Sequence, residues 1–118
     1  MPHVKLEYTG NVQWKSPIHD IFPKLQTVLI QHAKVKPKNC KSRATELTDF
    51  YCTNKNNYGG FIHLDISLLS GRTKEVKTNI GKECSQIIQT FIDNIDEIQV
   101  SVELRDMDQN SYFTTNQL

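Results

Sequence analysis

FIHLDISLLSGRTKEV, residues 61–76, decides the architecture. Its first nine residues alternate, with Ile62, Leu64, Ile66 and Leu68 on one side and Phe61, His63, Asp65 and Ser67 on the other. A period of two over this length marks a strand with one buried face. The alternation stops at a turn around Gly71. Thr73 then stands where a helix takes its N-cap, with Glu75 in the electropositive first turn. From there Val76, Ile80, Cys84, Ile87, Ile88, Phe91 and Ile95 recur at helical spacing, the cleanest apolar stripe in the chain. Alternation returns in IQVSVEL, where Ile98, Val100, Val102 and Leu104 share a face. A strand–helix–strand unit of this kind makes its two strands parallel neighbours through a right-handed crossover.

The N-terminal half repeats the layout. HVKLEY, residues 3–8, alternates with Val4, Leu6 and Tyr8 inward, and Gly10-Asn11 is a turn. Ser16-Pro17 offers a helix start, and Ile18, Ile21, Phe22, Leu25, Val28, Leu29 and His32 carry the helical period to about residue 33. Pro23 conflicts with an unbroken helix, so it either kinks the helix or marks a true start one turn later. VKPKN at 35–39 breaks the pattern, and residues 40–52 read as extended. If that segment is a strand, Lys41 and Arg43 share a face. NKNNYGG at 54–60 is a loop, and the polar tail from Asp106 to Leu118 carries no clear pattern. The expected fold is α+β, a single domain over residues 1–118. Two βαβ units form a four-stranded sheet with both helices on one face, which leaves the other face for a second subunit.

Composition narrows the function classes. A formal charge of +1, from 14 basic and 13 acidic residues, argues against a nucleic-acid or membrane-surface role, since both favour a basic excess. No apolar run approaches the roughly 20 residues of a membrane span, and Lys5 and Glu7 interrupt the only candidate for a signal-peptide core. Cys40, Cys52 and Cys84 are odd in number and lack metal spacing, so they read as reduced thiols of a cytoplasmic protein.

The opening MPH, the two βαβ halves, KSR at 41–43, FIHLDISLLSGR at 61–72 and the helix after it together resemble the 5-carboxymethyl-2-hydroxymuconate isomerase family. That family belongs to the tautomerase superfamily, with 4-oxalocrotonate tautomerase and macrophage migration inhibitory factor. The resemblance runs from Pro2 to about Arg105. It implies loss of Met1, so that the Pro2 nitrogen becomes a free secondary amine and the catalytic base. It also implies a homotrimer, and a proton shift in an unsaturated keto acid from homoprotocatechuate breakdown, with no metal and no cofactor. Arg72 and Arg43 match arginines of the family; Lys41 stands where the family typically has arginine, and an ammonium lacks the planar fork of a guanidinium. On this reading Pro2 is catalytic, and Arg72, Lys41 and Arg43 bind carboxylates of a small-molecule substrate. The chemistry is consistent: burial and nearby cations lower an amine's pKa towards neutrality, where a base works best.

Each of these residues also has a plainer reading. Proline after methionine is common, Lys41 and Arg43 fit a solvated strand face, and Arg72 fits an exposed turn. His3 and His63 read as surface or structural histidines, because no third metal ligand has suitable spacing. Cys84 reads as core, and Trp14 and Phe50 fit packing as well as a pocket wall. Two classes therefore stay open: a cofactor-free isomerase, and a non-catalytic trimer of the same fold that binds small acids or serves structurally.

Overall fold

Four strands and two helices form, in chain order, β1 (His3–Thr9), α1 (Ile21–Ala33), β2 (Lys41–Leu47), β3 (Gly60–Leu69), α2 (Lys74–Thr90) and β4 (Ile98–Met107). The computed structural model describes residues 2–53 and 58–115. Removal of Met1, residues 54–57 of the expected loop and the last three residues of the tail lie outside them. The sheet order is β2-β1-β3-β4. β1 and β2 are parallel, as are β3 and β4, and β1 and β3 join the two units antiparallel. This is the arrangement the two crossover helices require.

Alternation decides which face is buried. Val4 and Leu6 of β1 and Ile62, Leu64, Ile66 and Leu68 of β3 are at most 1% exposed and lie beneath the helices. From above, Leu25 and Leu29 of α1 and Ile80, Cys84 and Ile88 of α2 close the core. His32 of α1 and Glu83 of α2 bond across the helix pair. Thr73 caps α2 as expected, its Oγ1 accepting the Val76 amide at 3.2 Å.

Pro23 resolves in favour of the later start. A single 3-10 turn, Ile18–Asp20, leads into α1, so Pro23 falls within the first helical turn. There its missing amide hydrogen costs nothing, because first-turn amides have no acceptor inside the helix. β4 runs three residues past Leu104, since Arg105, Asp106 and Met107 go on pairing with Ser67, Leu68 and Leu69. Continued pairing, rather than apolar alternation, sets that boundary.

The second face of the sheet is polar. His3, Lys5 and Glu7 of β1 align with Ser67, Asp65 and His63 of β3, and Ser101, Glu103 and Arg105 of β4 continue the rows. Water can wet such a face, so apolar burial alone does not demand a covering subunit. No described helix is long and apolar enough to cross a membrane.

The β1 and β3 ends meet at a tight polar junction. Thr9 Oγ1 donates to Asn11 Oδ1 at 2.6 Å and accepts the Phe61 amide at 3.0 Å. A Cβ on Gly60 would clash with Asn11 Oδ1 and lie 2.5 Å from Thr9 Oγ1. Gly60→Ala is therefore expected to destabilise the fold by about 1–3 kcal/mol, the usual range for overpacking. A urea titration checks this; an unchanged midpoint would show that the junction has slack.

Candidate active site

The strand register brings separated parts of the chain to one end of the sheet. The Lys41 amide donates to the Pro2 carbonyl at 3.1 Å, which sets β2 beside the start of β1. His3 is then level with Lys41, and Lys5 with Arg43. Residues level across a ladder share a face, so Lys41 and Arg43 project from the polar face as expected. Pro2 is buried and Arg43 is exposed. Proline loses nothing here, since a strand's first position tolerates a missing donor.

All three of the predicted clamp residues are engaged within the chain, Arg43 on His3 and the other two on backbone carbonyls. Lys41 Nζ donates to the Lys38 carbonyl at 3.1 Å. Arg72 donates from Nη1 to the Leu69 carbonyl and from Nη2 to the Ala33 carbonyl, both at 3.0 Å. Ala33 is the last residue of α1, and Lys34 after it is left-handed, with φ 58°. Arg72 thus secures a helix end whose carbonyls lack intrahelical donors. Leu69 lies two residues beyond Ser67, the partner of His3, so Arg72 sits at the same end of the sheet as Pro2. Two of the five guanidinium N–H groups are used on carbonyls, which leaves three.

Charge is divided unevenly over the polar face. On the β3–β4 side, Arg105 pairs with Asp65 at 2.9 Å and with Glu103 at 3.3 Å. On the β1–β2 side, Lys5, Lys41 and Arg43 have no ion-pair partner among the described residues. Unpaired cations at one corner favour an anionic ligand there.

Sequence spacing missed two polar clusters. His3 Nε2 meets Tyr112 Oη at 2.8 Å, and His3 Nδ1 meets Arg43 Nη1 at 3.0 Å. Tyr112 comes from the tail, whose sequence gave no signal for this contact. His63, Asp65 and Glu103 place ligand-type atoms within 4.8 Å of one another, a grouping that does not include His3. Glu103 arrives from β4, so chain spacing could not reveal it, and Arg105 already engages both carboxylates.

Trp14 and Cys84 pack against the core. Trp14 meets Tyr8 edge-on at 5.3 Å. Burial pushes the Cys84 thiol up to about 12, which removes it as a nucleophile near neutrality. A concavity of about 560 Å³, walled by Tyr51, Tyr58, Phe61, His63 and Ser101 among others, lies at the start of β3. Because β3 runs antiparallel to β1, that is the end remote from Pro2.

Residues 2–118 match the family 5-carboxymethyl-2-hydroxymuconate isomerase. No curated protein matches the sequence. Among solved structures, a 5-carboxymethyl-2-hydroxymuconate isomerase from Deinococcus radiodurans R1 superposes with a TM-score of 0.78 at 22% identity, over 97% of this chain and 88% of that one. A fused 4-OT wild-type symmetric trimer gives 0.79 at 17% identity, over 98% and 95%. A 5-carboxymethyl-2-hydroxymuconate delta-isomerase gives 0.72 at 14%, over 98% and 87%. At these identities the likeness establishes the fold, and the sheet and helices above are the tautomerase arrangement.

Arg72→Ala leaves the Ala33 and Leu69 carbonyls without their donor. A stability loss of about 1–3 kcal/mol is expected in urea denaturation. Arg72→Lys, with one point-like donor group, should recover less than half of it. Wild-type stability in both variants would mean that neither carbonyl contact matters to the fold.

Proposed function

The chain belongs to the 5-carboxymethyl-2-hydroxymuconate isomerase family, and from that premise we propose a cofactor-free isomerase that shifts a proton in 5-carboxymethyl-2-hydroxymuconate or a close unsaturated keto acid. Pro2, freed by loss of Met1, is the base. Its nitrogen takes a proton from one position of the substrate, negative charge spreads through the conjugated system, and the same nitrogen returns the proton at another carbon. No atom is gained or lost, so no co-reactant is needed. Arg43, Lys41 and Arg72 hold carboxylates and stabilise the delocalised charge. The observation that carries this reading is the register of β2 beside β1, with Lys5, Lys41 and Arg43 free of ion pairs among the described residues on the β1–β2 side of the polar face.

Pro2 suits the role physically. Its ring limits the freedom of the amine, so the lone pair is aimed before substrate arrives. Cations nearby disfavour the protonated form and lower the pKa. Lys41 supplies charge without bidentate geometry, and its ammonium keeps two N–H groups beyond the one on the Lys38 carbonyl. The protein is cytoplasmic in this reading, its thiols are reduced, and its partner is a small carboxylate rather than a nucleic acid or membrane. It assembles as a homotrimer, as the fused 4-OT protein of the same fold does. In that assembly a neighbouring subunit encloses the open corner around Pro2.

Three measurements test the proposal. A chain with one extra residue before Pro2 turns its nitrogen into an amide and should lose about 10²–10⁴-fold in kcat, the usual contribution of a general base. Arg72→Ala should lower kcat/KM, per folded molecule, by about 10²–10³-fold, as for loss of one electrostatic donor. Sedimentation equilibrium should give three times the 13.6 kDa of the chain. Normal isomerisation by the extended chain would refute the terminal-proline mechanism. Tight carboxylate binding without turnover in the Pro2-terminal chain would favour the non-catalytic trimer.

A further inference from the structure

Three side chains from distant parts of the chain stand in one line on the polar face: Tyr112 from the tail, His3 from β1 and Arg43 from β2. Tyr112 Oη lies 2.8 Å from His3 Nε2, and Arg43 Nη1 lies 3.0 Å from His3 Nδ1. We propose that His3 is a positioning residue for Arg43, holding its guanidinium at the Pro2 end of the sheet, and that Tyr112 anchors His3 from the far side. The proposal deepens the isomerase reading and rests on it, because Arg43 must hold a substrate carboxylate for its position to matter.

Hydrogen-bond chemistry fixes the state of the ring. A guanidinium has only donors. Nδ1 must therefore accept from Arg43, so it carries no proton. The ring proton then sits on Nε2 and donates to the Tyr112 oxygen. A protonated His3 would set N–H against N–H beside a fixed positive charge. Its surroundings oppose that charge: partial burial, then Arg43, then Lys5 lower the pKa of His3 below its ordinary 6.5, and Lys41 acts in the same direction. Ser67, level with His3 on β3, adds no charge. His3 is thus a neutral acceptor at pH 7, and protonation at lower pH releases Arg43.

The register explains why Arg43 needs such a hold. Arg43 is level with Lys5, not with His3. To reach His3 its side chain leans back along the strand, away from Lys5 and towards Pro2. An exposed arginine otherwise samples many rotamers, and ordering it on each binding event weakens the ligand's hold. The tail supplies the remaining constraint. Tyr112 also packs edge-on against the imidazole, with ring centroids 5.8 Å apart.

The test combines spectroscopy with kinetics on 5-carboxymethyl-2-hydroxymuconate. In ¹⁵N-labelled wild-type protein at pH 7, long-range correlation spectra should show His3 protonated at Nε2 and bare at Nδ1. Tyr112→Phe should keep that tautomer, because Arg43 has only donors to offer Nδ1, and should raise KM by less than His3→Ala does. His3→Ala should raise KM about tenfold with a smaller change in kcat, the pattern of lost ground-state binding. His3→Asn, which keeps an acceptor near the Nδ1 position, should restore most of it. Added to Arg43→Ala, His3→Ala should raise KM no further, because the two act as one unit. KM for the wild type should rise as pH falls through the lowered His3 pKa. A proton on Nδ1, an unchanged KM in His3→Ala, or full additivity with Arg43→Ala would overturn the proposal. A wild-type chain without turnover but with the His3 signature intact would instead remove the isomerase reading, and the clamp role of Arg43 with it.

Discussion

β1 is locked between β2 and β3 by a register that places Lys41 level with His3 and Ser67. Val4 and Leu6 fix which face of β1 is buried, because each is about 1% exposed beneath the helices. Once that face is fixed, His3 and Lys5 must point the other way. β2 has no comparable apolar pattern, and most of it is exposed. Its position comes from the backbone ladder, beginning at the Lys41 amide and the Pro2 carbonyl. A slip of one residue would turn Lys41 and Arg43 towards the helices and put Ser42 and Ala44 in their place. The proposed clamp therefore depends on main-chain pairing more than on packing.

The same register separates charge on the polar face. On β3 and β4, acidic and basic groups neutralise one another, with Arg105 between Asp65 and Glu103. On β1 and β2, lysine and arginine stand without acidic partners among the described residues. A net charge of only +1 conceals this division. Partially exposed pairs of this kind add little to stability. Their absence from the β1–β2 corner matters more, since among the described residues no carboxylate pairs with Lys41 or Arg43 in competition with an incoming one. Arg72 joins the two levels of organisation. It secures the end of α1 and keeps three N–H groups for a ligand at the same end of the sheet.

Much of the fold could be read from the sequence because it rests on local periodicity. β1, β3 and α2 announce themselves by alternation or by an apolar stripe, and Thr73 caps α2 where expected. Pro23 was legible as a conflict but not as a solution, since only the 3-10 turn before α1 shows which option holds. The shared face of Lys41 and Arg43 followed from their spacing alone. What stayed hidden depends on long-range contacts. Arg72 finds Ala33 across 39 residues, and His3 finds Tyr112 across 109. Glu103 joins His63 and Asp65 only because β4 pairs with β3. No local pattern encodes any of these meetings. A polar tail with one tyrosine gives no hint that it touches the first strand.

The central claim is that the β1–β2 register surrounds a free Pro2 amine with cations and so prepares it as a base. The most direct measurement is an NMR titration of the Pro2 nitrogen in ¹⁵N-proline-labelled protein, with and without neutralisation of Lys41 and Arg43. The expected result is a single titration below the ordinary range of a prolyl amine, moving upward when Lys41→Gln and Arg43→Gln are combined. A nitrogen that does not titrate, or one that titrates at the ordinary value and ignores both substitutions, would contradict the claim.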